Sequence, residues 1–227
     1  MKPMQDGSKG RVVKIDPLHP DPETVQEAVR VIRSGGMIAF PTETFYGLGV
    51  DPFSASAVER LFAVKGRDPG KPVLLVIDDL KRAEGIVLAV SDDARSLIRK
   101  FWPGPLTLLF EGSSRIAPAL CGGTGKIGIR IPSHPVALQL LRAAGQPLTA
   151  TSANRSGQPG ATLAGTIEET LGPQIDLIVD GGAAPGGPES TIVDVTLHPP
   201  RLIREGKIGF REVLSCLGLS PTEDHEW

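Results

Sequence analysis

The chain has 227 residues, enough for one large domain or two small ones, and its 40% hydrophobic content excludes a disordered chain. A formal net charge of −2 excludes the overall basic field that steers generic polyanion binders, though a local basic cleft stays open. Glycine (27) and proline (21) punctuate short apolar segments throughout, which implies many loops on a compact scaffold.

Residues 1–10 read as a loose leader, followed by a short strand, RVVKI, at 11–15. In DPETVQEAVRVIRSGG, Asp21 caps a helix and Pro22 opens it, Val25, Ala28, Val29 and Ile32 form one apolar face, and Gly35 and Gly36 end it. MIAF (37–40) is a buried strand ending at Pro41. A second helix runs from Ser56 to Val64, burying Val58, Leu61 and Phe62, and VLLVI (73–77) is another buried strand. SDDARSLIRKFW is a helix capped by Ser91, with acidic residues in its first turn and Arg99 and Lys100 in its last, complementing the helix dipole; Pro103 ends it. LTLLF (106–110), KIGIRI (126–131), LTAT (148–151), DLIVD (176–180), STIVDV (190–195) and RLIR (201–204) are strand candidates. Residues 135–144 and 208–217 read as helices, and TIEET carries a capping box through Thr166 and Glu169.

Strands and helices interleave with no break in composition, linker or repeat. The expectation is a single mixed α/β domain over 20–217 with a substantially buried sheet, after a leader and first strand (1–19) and before a tail (218–227).

Several stretches combine polar side chains with strand ends, where ligands bind in open α/β sheets. FPTETFYGLG (40–49) offers Thr42, Glu43, Thr44 and Tyr46, although threonines in loops usually satisfy local backbone groups. KGRDPGKP (65–72) offers Lys65, Arg67 and Lys71, with glycines that admit close backbone approach; taken alone, a solvated turn is the commoner outcome, and Asp68 weakens an anion site. LTATSANRSG (148–157) ends a strand in Thr149, Thr151, Ser152 and Asn154, which can read a small ligand or merely cap a turn. CGGTGKIGIRIP (121–132) fails as a phosphate loop, because Leu120 and Ile127 stand where that motif needs glycine and Ser/Thr. Arg130, flanked by isoleucines, either points to solvent or lines a cleft. In PESTIVDVTLHPPRLIREG (188–206), a hairpin would bring Ser190 and Arg204 together.

The four histidines are scattered and form no cluster with cysteine, so no structural metal is inferred. Cys121 and Cys216 fit a reducing compartment rather than a disulfide framework. With no secretory apolar region and no membrane-length apolar run, the expectation is a soluble, cytoplasmic protein that makes no membrane contact.

The succession PTETFYGLG, KGR…KP, FWPGPLTLLF, IGIRIPSHP, TSANRSGQP, STIVDV and LIREG resembles the YrdC-type threonylcarbamoyl-AMP synthase family over residues 20–217. The resemblance implies a twisted mixed sheet with helices around a large basic cleft. It implies a nucleotidyltransferase that turns L-threonine, bicarbonate and ATP into L-threonylcarbamoyl-AMP and pyrophosphate, with Mg²⁺ accompanying ATP. A partner enzyme then passes the threonylcarbamoyl group to tRNA; weak direct binding of tRNA is left open. By the same resemblance Lys65 and Arg67 act catalytically on the ATP phosphates, and Ser152, Asn154 and Arg204 bind ATP. Thr42, Lys71, Arg130, Ser152 and Ser190 fall around L-threonine. No general base is implied. Departures are Asp68-Pro69 after the arginine, Gly160-Ala161 where Ser-Pro is common, and Glu205 in place of a proline. Longer members carry a further C-terminal domain, for which this chain is expected to be too short.

Two other readings stand beside this one. An RNA-binding module could use the same cleft, with Phe45, Tyr46 and Trp102 as its stacking surfaces. A carbamoyltransferase-type YrdC domain would belong in a much longer chain with zinc-finger-like cysteines.

Overall fold

A computed structural model describes residues 10–68 and 70–220 of the chain. The expected leader, apart from Gly10, lies outside the described residues, as do Pro69 and the last seven residues of the expected tail. In chain order the elements are β1 (Arg11–Lys14), α1 (Pro22–Arg33), β2 (Ile38–Phe40), β3 (Gly47–Gly49), α2 (Ala55–Lys65), β4 (Leu75–Val76) and α3 (Asp92–Phe101). They continue with β5 (Leu106–Glu111), β6 (Lys126–Arg130), α4 (Pro135–Ala144), β7 (Leu148–Thr149), β8 (Thr151–Ser152), α5 (Ala164–Leu171), β9 (Leu177–Asp180), β10 (Thr191–Asp194), β11 (Arg201–Arg204) and α6 (Phe210–Cys216).

Local chemistry sets the helix ends. The Asp21 carboxylate accepts the Thr24 amide ahead of Pro22, and the Ser91 hydroxyl accepts the Ala94 amide with Asp92 and Asp93 behind it. The apolar stripe Val25, Ala28, Val29 and Ile32 is buried as expected. The capping box expected at Thr166 and Glu169 does not form. α5 starts earlier, at Ala164, because Ala164, Ile167 and Leu171 share the face that is buried, and Thr166 becomes an interior helical residue.

The mixed α/β class stands, with the strands divided between two sheets. One runs β1-β9-β2-β3-β8 and the other β11-β10-β5-β6-β4-β7, both mixing parallel and antiparallel pairs. The two faces of the five-stranded sheet follow the period of two: Ile38, Phe40, Leu177 and Val179 pack against α1 and α4, while Ala39 and Ile178 join the larger core.

LTAT does not make one strand. Leu148 and Thr149 pair with β4, Thr151 and Ser152 pair with β3, and Ala150 is the crossing point between sheets. Thr149 fastens the crossing, its hydroxyl donating to the Leu48 carbonyl (3.1 Å) and accepting from the Val50 amide (3.0 Å). The antiparallel β10–β11 hairpin brings Ser190 beside Arg204, as expected. No helix among the described residues is long and apolar enough to cross a membrane.

Candidate active site

The crossing point opens onto a cavity of about 140 Å³. On β5, Leu106, Leu108 and Phe110 enter the core, so Thr107 and Leu109 turn to the opposite face and line the cavity, with Gly128 of β6 and Ile192 of β10 beside them. Arg67, Thr151, Ser152, Glu189, Ser190 and Arg204 form its polar rim.

Lys65 ends α2, and Gly66 turns the chain through left-handed backbone at φ +55°. The lysine is only 2% exposed. Its ammonium donates to the carbonyls of Ser152 (2.5 Å) and Asn154 (2.9 Å) and to Asn154 Oδ1 (3.3 Å), while the Ser152 hydroxyl donates to Asn154 Oδ1 (2.6 Å). The link between the two motifs is therefore direct: Lys65 organises the Ser-Ala-Asn turn. Burial, and then the Arg67 charge, lower its pKa to about 8, against an opposing pull from Glu189. Arg67 lines the cavity with its guanidinium held by the carbonyls of Lys71 (3.2 Å) and Pro72 (2.6 Å), and burial depresses its pKa. Lys71 is exposed and does not line this cavity.

Arg130 ends β6 and is 3% exposed, so its side chain turns inward rather than to solvent. It pairs with Glu43, whose other oxygen accepts the Ser133 amide (3.2 Å) and whose carbonyl accepts from Lys207 Nζ (2.8 Å). Burial lowers the Arg130 pKa, Glu43 opposes that shift, and Arg130 Nε is buried without a partner. Thr42 is buried beside this knot, its hydroxyl donating to the Phe45 carbonyl (2.7 Å), the turn-stabilising bond that loop threonines usually make. Ser190 accepts from the Thr107 hydroxyl (3.0 Å); Arg204 donates to the Ser190 carbonyl (2.9 Å) and pairs with Glu189.

Of the residues expected from sequence, Arg67, Ser152, Ser190 and Arg204 share the cavity, Lys65 and Asn154 sit behind Ser152, Thr42 and Arg130 form the neighbouring knot, and Lys71 stands apart. Thr107 and Glu189 carry no role in the sequence reading, and Glu43 enters it only as one of the polar groups of FPTETFYGLG. The available signal was the adjacency of Glu189 to Ser190 and the acidic residue inside the Thr-Glu-Thr stretch.

The departures have local reasons. Asp68 Oδ1 accepts the Gly70 amide (2.8 Å), and Glu205 Oε1 accepts the Phe210 amide (2.8 Å) at the start of α6. A side chain at Gly160 would come within 2.8 Å of the Phe45 ring.

A family model covering Sua5, YciO and YrdC proteins, described as telomere recombination, matches residues 30–206. The chain belongs to the Sua5/YciO/YrdC family. Among similar family members is the threonylcarbamoyl-AMP synthase of Pyrococcus abyssi, 37% identical over 194 residues, which cover 86% of this chain and 57% of that protein. The threonylcarbamoyl-AMP synthase of Bacillus subtilis is 35% identical over 204 residues, covering 89% and 59%. The chain thus spans under two thirds of the length of these two relatives. The crystal structure of P. abyssi Sua5 complexed with L-threonine superposes with a TM-score of 0.87 at 35% identity, over 91% of this chain and 61% of that one.

Proposed function

We propose that this chain is an L-threonylcarbamoyl-AMP synthase, forming threonylcarbamoyl-AMP and pyrophosphate from L-threonine, bicarbonate and ATP. The observation that carries the reading is the convergence of Arg67, Ser152, Ser190 and Arg204 on one cavity at the crossing of two sheets. The names of its family relatives support the threonylcarbamoyl-AMP product, and the L-threonine complex of one of them supports threonine as a substrate.

In this reading the threonine amine attacks the carbon of bicarbonate or CO₂ to give a carbamate, with water leaving when bicarbonate reacts. A carbamate oxygen attacks the α-phosphorus, and pyrophosphate leaves. The step gains from positioning and from neutralising phosphate charge, so a rim of guanidinium, hydroxyl and amide groups suits it without a protein nucleophile. Arg67 contacts the phosphates directly, and Arg204 with Ser152 completes their cradle. Lys65 supplies positive charge while shaping the Ser152 and Asn154 turn. Arg130 and Ser190, with Thr42, surround threonine, whereas the exposed Lys71 lies outside the cavity and is given no contact with it. A magnesium cage is a poor fit to these residues: Glu189 is the only carboxylate lining the cavity among the described residues, and no group of three metal-binding side chains occurs among them. Mg²⁺ enters in this proposal as part of the ATP substrate, and no step depends on a protein-held ion.

The product serves a separate enzyme that transfers the group to tRNA, in a reducing, cytoplasmic setting. The rival RNA-binding reading loses two of its three stacking surfaces, and Phe45 alone stays partly exposed. Tyr46 is fully buried with its hydroxyl on the Gly182 carbonyl (2.6 Å), and the Trp102 indole donates to the Leu106 carbonyl (2.6 Å).

Purified protein given ATP and bicarbonate should release pyrophosphate only when L-threonine is added. Release that is equal with L-serine or with no amino acid contradicts the proposal. Arg67→Ala should lower kcat/KM by about 10²–10³-fold with the fold retained, as circular dichroism would report.

A further inference from the structure

Two arginines of the site each meet a glutamate, and the two pairs differ in how they are held. Glu43 is fixed at three points, by Arg130, the Ser133 amide and Lys207, and its pair is buried, with side-chain exposures of 14% and 4%. Glu189 has its backbone fixed, its carbonyl accepting the Lys207 amide (2.9 Å), but among the described residues its carboxylate is bound by Arg204 alone. The side chains of that pair are 44% and 39% exposed. Both line the cavity together with Arg67.

The Glu189 carboxylate also acts on the other cations of the site, raising the pKa values of Lys65 and Arg67 against the effect of burial. It therefore sits among Lys65, Arg67 and Arg204, the charges that an incoming polyanion would seek. Arg204 still holds a buried Nε donor with no acceptor, so its present partners do not exhaust it. A second anion cannot share the cavity with Glu189 without like-charge repulsion.

We propose that Glu189 is an exchangeable counter-anion, which pairs with Arg204 in the empty cleft and is displaced by the polyphosphate of an incoming nucleotide, lowering the affinity for it. The proposal rests on the reading that this cavity takes a triphosphate. Displacement has two costs, the loss of a half-exposed ion pair and the residual repulsion between carboxylate and phosphate. Together they predict that removing the charge tightens polyphosphate binding roughly tenfold. Inorganic monophosphate, with less charge and shorter reach, should gain less.

Calorimetric titration of the full chain with inorganic pyrophosphate, monophosphate and ATP in metal-free buffer tests this, using the wild type, Glu189→Gln and Glu189→Ala. The expected result is tighter pyrophosphate and ATP binding in both variants, with a smaller gain for monophosphate. Two variants separate loss of charge from any new contact made by the amide. If the wild type binds ATP but the variants bind pyrophosphate equally or more weakly, the exchange is overturned while the nucleotide reading stands. If neither the wild type nor the variants bind ATP or pyrophosphate, both fall together.

Discussion

Lys65 directs its ammonium at three acceptors of its own chain, on a turn 87 to 89 residues away, so its first role is to hold Ser152 and Asn154 in place. Its pKa falls from 10.5 to about 8 on folding, so between those values the unfolded chain binds more protons than the folded one. Stability contributed at this position therefore rises with pH across that window. The thermal midpoint of the wild type relative to Lys65→Met should climb between pH 8 and pH 10, and a difference that stays flat would refute the burial account. Glu43→Ala leaves Arg130 buried without its counter-charge and should cost about 3–5 kcal/mol in denaturant unfolding; a loss below about 1 kcal/mol contradicts the buried-pair description. Residue types and spacing made Lys65, Arg67, Ser152 and Asn154 legible as a group through the family resemblance. The glutamates were not, because an ion pair such as Glu43–Arg130, 87 positions apart, exists only once the sheets are assembled.

Periodicity and caps carried most of the helices. α1 and α3 formed where Asp21 and Ser91 offered caps, whereas Thr166 and Glu169 made a false start signal inside α5, where burial of Ala164 and Ile167 set the helix earlier. Strand pairing was less legible: nothing within LTAT reveals that Ala150 changes sheets, since the partners β3 and β4 lie far upstream. The turn after β11 offers a test of how tightly this scaffold is drawn. A side chain at Gly206 would approach the Glu189 carbonyl oxygen to 2.1 Å, a backbone collision that no rotamer relieves. Gly206→Ala should therefore destabilise the protein by about 1–3 kcal/mol and impair activity through Ser190 and Arg204. Glu205→Ala removes only a cap from α6; about 0.5–2 kcal/mol of stability should be lost with kcat/KM unchanged. A kinetic defect in that variant would give Glu205 a role in the site.

At the scale of the molecule, an interleaved strand and helix pattern announced a mixed α/β domain, but not the division into two sheets whose crossing makes the cleft. The overall charge of −2 conceals a locally cationic rim, in which Glu189 faces Arg67 and Arg204. Such a molecule has little long-range attraction for nucleic acid, so tRNA should bind weakly and with a shallow dependence on salt. Tight binding with a steep slope and no ATP turnover would favour the RNA-binding alternative. The proposed function requires one site to join three substrates. It is tested most directly by mass spectrometry after incubation with ATP, L-threonine and carbon-13-labelled bicarbonate. The expected result is one product that contains AMP, threonine and a single labelled carbon. Pyrophosphate release without that species, or an unlabelled threonine–AMP adduct in its place, would contradict it.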